Sequence, residues 1–154
     1  MRTESNNLLG FKIIDLTDDS TVNTSTTNDQ TIQPPNGLMY LPTTLYIYIP
    51  DPSGSSSGTH GLYLAYDVTD ITRTGIWKIV SNTGNSIGTY YGAFNGDNES
   101  PSTSADQQRA ISGICHNWIT YDRPVTLRYT NDTDVNQTGT RKVIIGLEVH
   151  KNVL

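Results

Sequence analysis

The chain has 154 residues, which fits one domain, with a formal net charge of −5 and 16% charged side chains. No Lys/Arg cluster goes beyond the pair Arg141-Lys142, which excludes the basic face that nucleic acid requires. The single cysteine, Cys115, excludes an intrachain disulfide framework and a Cys-based zinc site.

Thr, Ser, Asn and Gly make up about two-fifths of the chain, and short polar and β-branched residues suit pleated surfaces and tight turns better than helices. Nine Tyr, two Trp and two Phe argue for a folded body, since disordered chains carry few aromatics. The N-terminus lacks an apolar signal region and no run is long enough to span a membrane, so the expectation is a chain made in a cytoplasm, with no membrane partner.

In chain order, period-2 patterns alternate with turn clusters. Residues 7–16 read as a first strand, apolar at Leu8, Leu9, Phe11, Ile13, Ile14 and Leu16. Residues 17–30 are almost wholly polar and read as a flexible connector. Together, residues 1–30 form an N-terminal arm and connector, and residues 31–154 form the main body. Pro34-Pro35-Asn36-Gly37 is a turn, because proline fixes φ and glycine allows a positive one. Residues 38–49 form the clearest strand, with Leu45, Ile47 and Ile49 on one face and Tyr46 and Tyr48 on the other. After a Ser/Gly loop at 50–58, Leu62, Leu64 and Tyr66 alternate along the next strand. Residues 76–80 and 87–91 read as a hairpin around Asn82-Thr83-Gly84-Asn85. A long polar loop (95–108) precedes strand character at 110–118. Val125, Leu127 and Tyr129 alternate, as do Val143, Ile145, Leu147 and Val149.

Eight or nine short strands and no convincing amphipathic helix define an all-β sandwich or barrel. Its expected core is Leu45, Ile47, Ile49, Leu62, Leu64, Val125, Leu127, Val143, Ile145, Leu147 and Val149.

The segment Pro34-Pro35-Asn36-Gly37-Leu38-Met39-Tyr40-Leu41-Pro42 is followed by a Tyr-rich strand (45–49), a Gly/Ser loop (53–58) and Leu62-Tyr63-Leu64-Ala65-Tyr66. Near the C-terminus come Asn117, Pro124, a short alternating strand at 125–130, Asp132-Thr133-Asp134, Gly139-Thr140 and a Val-rich strand at 142–149. Over about two-thirds of its length the chain thus resembles small tailed-bacteriophage structural proteins of the jelly-roll head-decoration, or cement, type. The middle is matched by strand spacing alone. The final Glu148-Val149-His150-Lys151 departs from the Tyr-containing last strand frequent in that family. The resemblance implies a jelly-roll-like barrel of about eight strands on the capsid surface of the virion. It also implies binding to the major capsid protein of the same phage and a homo-oligomer, typically a trimer, made in a bacterial host.

The chemistry-bearing residues give no convergent site. Cys115 and His116 are adjacent, so on a strand they point to opposite faces and cannot pair as nucleophile and base. His60, in a loop, His116 and His150 show no metal spacing. Asn95-Gly96-Asp97-Asn98-Glu99 and Asp132/Asp134 offer oxygens, but too few for calcium unless loops combine, and polar turns bonding their own backbone explain them. Glu148 falls on the polar face of its strand and reads as a solvated charge. The sequons at Asn23, Asn98, Asn131 and Asn136 arise by chance in so Asn-, Ser- and Thr-rich a chain. The expectation is no catalytic residue, no metal and no cofactor.

Two sets remain as candidate binding residues. The apolar N-terminal strand (Leu8, Leu9, Phe11, Ile13, Ile14, Leu16) either adds to a partner's sheet edge or completes the chain's own barrel. The aromatics Tyr46, Tyr48, Tyr90, Tyr91, Trp77 and Trp118 serve as core, as an oligomer interface or as sugar-stacking platforms. Alternatives to a decoration protein are a carbohydrate-binding jelly roll of a phage fibre or baseplate and a capsid-forming single jelly roll.

Overall fold

The computed structural model describes residues 7–82, 87–93 and 118–153. Nine strands are present among them: β1 Leu8–Asp15, β2 Thr26–Ile32, β3 Leu38–Ile49, β4 Thr59–Ala65, β5 Gly75–Asn82, β6 Ile87–Ala93, β7 Ile119–Thr120, β8 Val125–Asn131 and β9 Lys142–Lys151. One helical turn, α1 Ile71–Thr74, precedes β5.

The strands form two antiparallel sheets, as the all-β reading anticipates. The first has the order β1-β9-β3-β6, with short β7 pairing the start of β3; the second has the order β2-β8-β4-β5. Alternation drives the apposition of the two sheets, because each strand must bury one side-chain row. In the first sheet Leu45 stands opposite Ile145 and Ile47 opposite Val143. In the second, Leu64 pairs with Leu127 on one side and Trp77 on the other. These rows meet in one cluster completed by Ile32, Tyr40, Ile79, Val125 and Leu147. All of the expected core residues are buried except Val149, which packs against the cluster half-buried.

Three elements differ from the sequence reading, and the N-terminal stretch takes one of the two alternatives left open for it. β5 and β6 do not form a hairpin: β5 pairs with β4 in the second sheet, whereas β6 pairs with β3 in the first. The chain passes from one sheet to the other between them, which a local turn signal does not specify.

The N-terminal arm is an edge strand of the chain's own first sheet, in register with β9 from Leu8↔His150 to Asp15↔Ile144. Ile14 packs on the core and Leu16 is buried within it, so the end of this segment is anchored by apolar contact.

The connector is not a free linker. Asp18 bridges Arg141, Val22 bridges Gln137, and residues 26–32 are strand β2, paired with β8 over its whole length. β2 is polar because its outer row meets water and only Ile32 is buried. Hydrophobic alternation therefore gives no sign of it.

Finally, His60 lies on β4, not in a loop, and is buried.

Candidate interaction surface

The outward row of the first sheet is built from the alternate positions of three neighbouring strands. On β1 it carries Leu9, Phe11 and Ile13, which are 60%, 77% and 74% exposed. Across the sheet Phe11 faces Glu148 and Ile13 faces Gly146. Beyond these, Glu148 faces Leu41, Gly146 faces Thr44 and Ile144 faces Tyr46. Thr44 lies so close over Gly146 that a Cβ there would collide with its hydroxyl, so a side chain at this position would require Thr44 to move. Tyr48, opposite Lys142, is also exposed. An apolar cleft of about 380 Å³, lined by Leu9, Phe11, Pro35, Leu38, Tyr40 and Val149, lies beside β1. Lys12 reaches over the Tyr40 ring at 5.7 Å.

The structure separates the residues that sequence grouped. Leu8, Leu9, Phe11 and Ile13 are exposed, whereas Ile14 and Leu16 turn inward and cannot meet a partner. Trp77 is not an interface residue: it stands opposite Leu64 and is 2% exposed, one of the largest side chains of the core. Trp118 is half-buried, edge-on to His150 at 4.8 Å, and its carbonyl accepts the Tyr66 hydroxyl at 2.6 Å. Tyr46 and Tyr48 do face outward, with Tyr46 half-buried. Tyr91 stands in register with Tyr46 and Tyr90 with Ile47; nothing further of these two side chains is described. Cys115, His116 and the Asn95–Glu99 run lie outside the described residues.

A second constellation, at the end of the sandwich where the β1–β2, β3–β4 and β8–β9 loops meet, is buried and was not grouped by sequence reasoning. His60 Nδ1 lies 3.0 Å from the Tyr129 hydroxyl, and its Nε2 lies 3.9 Å from Asp51. Gln137 donates to the Pro50 carbonyl at 2.6 Å and more weakly to Tyr129 at 3.4 Å. The Arg141 guanidinium sits 5.0 Å from the centre of the Tyr129 ring and donates to the Ser20 carbonyl.

Burial pushes the Tyr129 phenol up to about 12, despite the Gln137 hydrogen bond and the Arg141 charge. Burial alone would raise Asp18, but hydrogen bonds from Ser20 and the Arg141 guanidinium outweigh it and hold the carboxyl below its usual range. An aspartate–histidine–hydroxyl row has the order of a nucleophilic relay. Here both the ring and the hydroxyl are buried, and the row ties the β3–β4 loop to β4 and β8.

The Asp132/Asp134 run serves as polar loop residues, bonding the β3–β4 loop. Asp134 accepts hydrogen bonds from the Ser56 hydroxyl and from the Ser56 and Ser57 backbone N–H groups, which lower its carboxyl to about 2. The same loop contact needs Gly58, with φ at +92°, because a Cβ there would run into the Asp132 carbonyl. Asn131 is fully buried and uses both ends of its amide, so that sequon is inaccessible. Glu148 is not a free solvated charge, since its carboxylate lies 2.7 Å from His150 Nε2. Among the described residues no group of three His, Cys, Asp or Glu is placed to hold a metal ion.

The fold and the surface define a two-sheet antiparallel β-sandwich with an apolar outer row on one sheet edge. No protein-family model and no curated protein matches the chain. Among solved structures, the subviral particle of infectious bursal disease virus VP2 aligns over 95% of this chain at 11% identity, with a TM-score of 0.24. This chain spans 43% of the VP2 chain.

Proposed function

We propose that this protein is a structural protein of a virus particle. More specifically, it decorates the head of a tailed bacteriophage and cements it by binding the major capsid protein. Its role is adhesion, not catalysis. The observation that carries this reading is the outward apolar row of β1. Large apolar side chains standing together at an exposed sheet edge are rare on monomeric proteins and mark protein-contact sites. The strand path supports the jelly-roll part of the reading. Four long strands lie in each sheet, and along the chain successive long strands fall in opposite sheets except β4 and β5. The sequence resemblance supplies the class of partner, and the low charge density agrees with a surface partly given to interface.

The test is co-sedimentation of the purified chain with heads of the encoding phage assembled without it. Saturable binding at a fixed ratio to the major capsid protein is expected, together with heads more resistant to heat. No binding to heads, combined with binding to an oligosaccharide array, would overturn the decoration role in favour of a carbohydrate-binding module.

A further inference from the structure

The open edge of β1 has a geometry that selects its own occupant. We infer that it pairs with β1 of a second copy of this chain, antiparallel about a twofold axis centred on Phe11. The inference rests on the interaction-surface reading above and names one partner for that surface.

The Leu16 N–H donates to the Val143 carbonyl. By strand alternation Ile14 and Lys12 also direct their backbone groups toward β9, while Phe11, Ile13 and Asp15 direct theirs outward. Among the described residues no strand pairs that edge. The edge of the second sheet is defended differently: β2 is polar and its Asp29 is held by Arg128 through two hydrogen bonds of 2.7 and 2.8 Å. β1 has no such guard on its outer row, and an undefended apolar edge invites pairing.

Self-pairing centred on Lys12, Ile13 or Phe11 uses the outward backbone groups in each case. Centred on Lys12, it would set two ammonium groups opposite each other. Centred on Ile13, it would set Phe11 against Asp15. Centred on Phe11, it sets Phe11 against Phe11 and Leu9 against Ile13, apolar on apolar, with Lys12 opposite Gly10. Every twofold register sets the strand against itself; of these three, the one centred on Phe11 alone sets neither like charges nor a carboxylate against an apolar ring. It also brings Ile13 of the second copy to the Leu9 end of β1, beside the apolar cleft. Leu8, Leu9, Phe11 and Ile13 expose on the order of 450 Å² per copy at the fractions above. That is more than half of the roughly 800 Å² each partner gives to a standard interface, and the strand backbone adds to it. The resemblance implied threefold assembly; an edge that matches itself closes in pairs.

The experiment is sedimentation equilibrium of the full chain together with directed cross-linking. The wild type is expected to dimerise, and Phe11→Lys, at an exposed position, to remain monomeric with an unchanged circular dichroism spectrum. Phe11→Cys should form a disulfide-linked dimer rapidly under mild oxidation, because residues directly opposite in a ladder have Cα atoms about 5.5 Å apart. Ile13→Cys alone should not exceed the background set by Cys115, whereas a mixture of Leu9→Cys and Ile13→Cys chains should cross-link. A wild type that stays monomeric at high concentration, a Phe11→Lys dimer, or faster cross-linking at Ile13 than at Phe11 would overturn the inference. Head binding is scored separately. A Phe11→Lys chain that still self-associates but no longer binds heads refutes the pairing and leaves the decoration role standing.

Discussion

Asn131 is the residue whose loss should cost most for its size. Its amide nitrogen donates to the carbonyls of Val22 at 3.0 Å and Val135 at 2.8 Å, and its oxygen accepts from the Thr133 N–H and hydroxyl. These four bonds join the β1–β2 loop to the β8–β9 loop. In Asn131→Ala three of the four partners keep a second bond. Val22 still accepts from the Gln137 N–H, and the Thr133 hydroxyl still donates to the Val135 carbonyl. Only the Thr133 N–H is left buried and unpaired. Three lost net bonds of about 1 kcal/mol each, plus about 1–3 kcal/mol for the one orphaned donor, give about 4–6 kcal/mol. Asn131→Asp is nearly isosteric and keeps the acceptor side, but it turns a carboxylate oxygen toward two carbonyls. It should therefore be less stable than Asn131→Ala at pH 7 and recover part of the difference at acid pH, where the carboxyl protonates and can donate again. Urea unfolding followed by tryptophan fluorescence at pH 7 and pH 4 measures both. Losses under about 1 kcal/mol for both variants, or an Asp variant as stable as wild type at pH 7, would refute the reasoning.

Two further outcomes follow from the same interior. Tyr129, pushed to about 12 from an ordinary 10.0, stays neutral in the fold after the unfolded chain has begun to ionise. Its contribution is fully present below pH 10 and is lost as pH rises through about 12, by up to about 3 kcal/mol. Tyr129→Phe should make the alkaline fall in urea midpoint shallower, though not flat, since Tyr63 and Tyr66 are also raised by burial. An unchanged pH slope would exclude Tyr129 as its source. Ile145, fully buried between Leu45 and Ile14 in register, should cost about 2–5 kcal/mol on truncation to Ala. A loss below 1 kcal/mol would mean that the β3–β9 register is wrong.

Legibility in the sequence followed the hydrophobic period. The strands whose alternation is complete, such as 45–49, 125–129 and 143–149, were readable with their buried faces, because period-2 burial leaves a direct mark. β2 left none: TTNDQTI buries one side chain, and its place in the sheet comes from β8, 99 residues away at the Asp29–Arg128 pair. The supposed β5–β6 hairpin shows the complementary limit. A turn signal states that the chain reverses, not which sheet receives the next strand. For the candidate surface, the apolar character of 8–16 was visible, but which residues face out depended on the shift in register between Leu8 and Gly10. The buried polar group around His60 and Tyr129 was invisible, because its members come from four separate segments and each alone reads as ordinary loop or strand chemistry.

The polar tie and the apolar edge are linked through the chain itself. An exposed row of Leu9, Phe11 and Ile13 lowers its free energy by collapsing onto any apolar surface within reach, so it persists only if β1 is held along one side and at its end. β9 holds it laterally by the ladder. Leu16 then enters the core, Asp18 exchanges backbone hydrogen bonds of 2.9 and 3.0 Å with Arg141, and Val22 exchanges two of 2.9 Å with Gln137. Those two partners are the residues that pack against and bond to Tyr129. The His60–Tyr129–Gln137–Arg141 cluster therefore fixes the segment leaving β1 as well as closing the end of the sandwich. A strand fixed in this way would lose little conformational freedom if the proposed partner docked, which lowers the apolar area that association needs. On the pairing proposed above, the same buried network would hold the β1 edge in the extended form that a second strand can pair with.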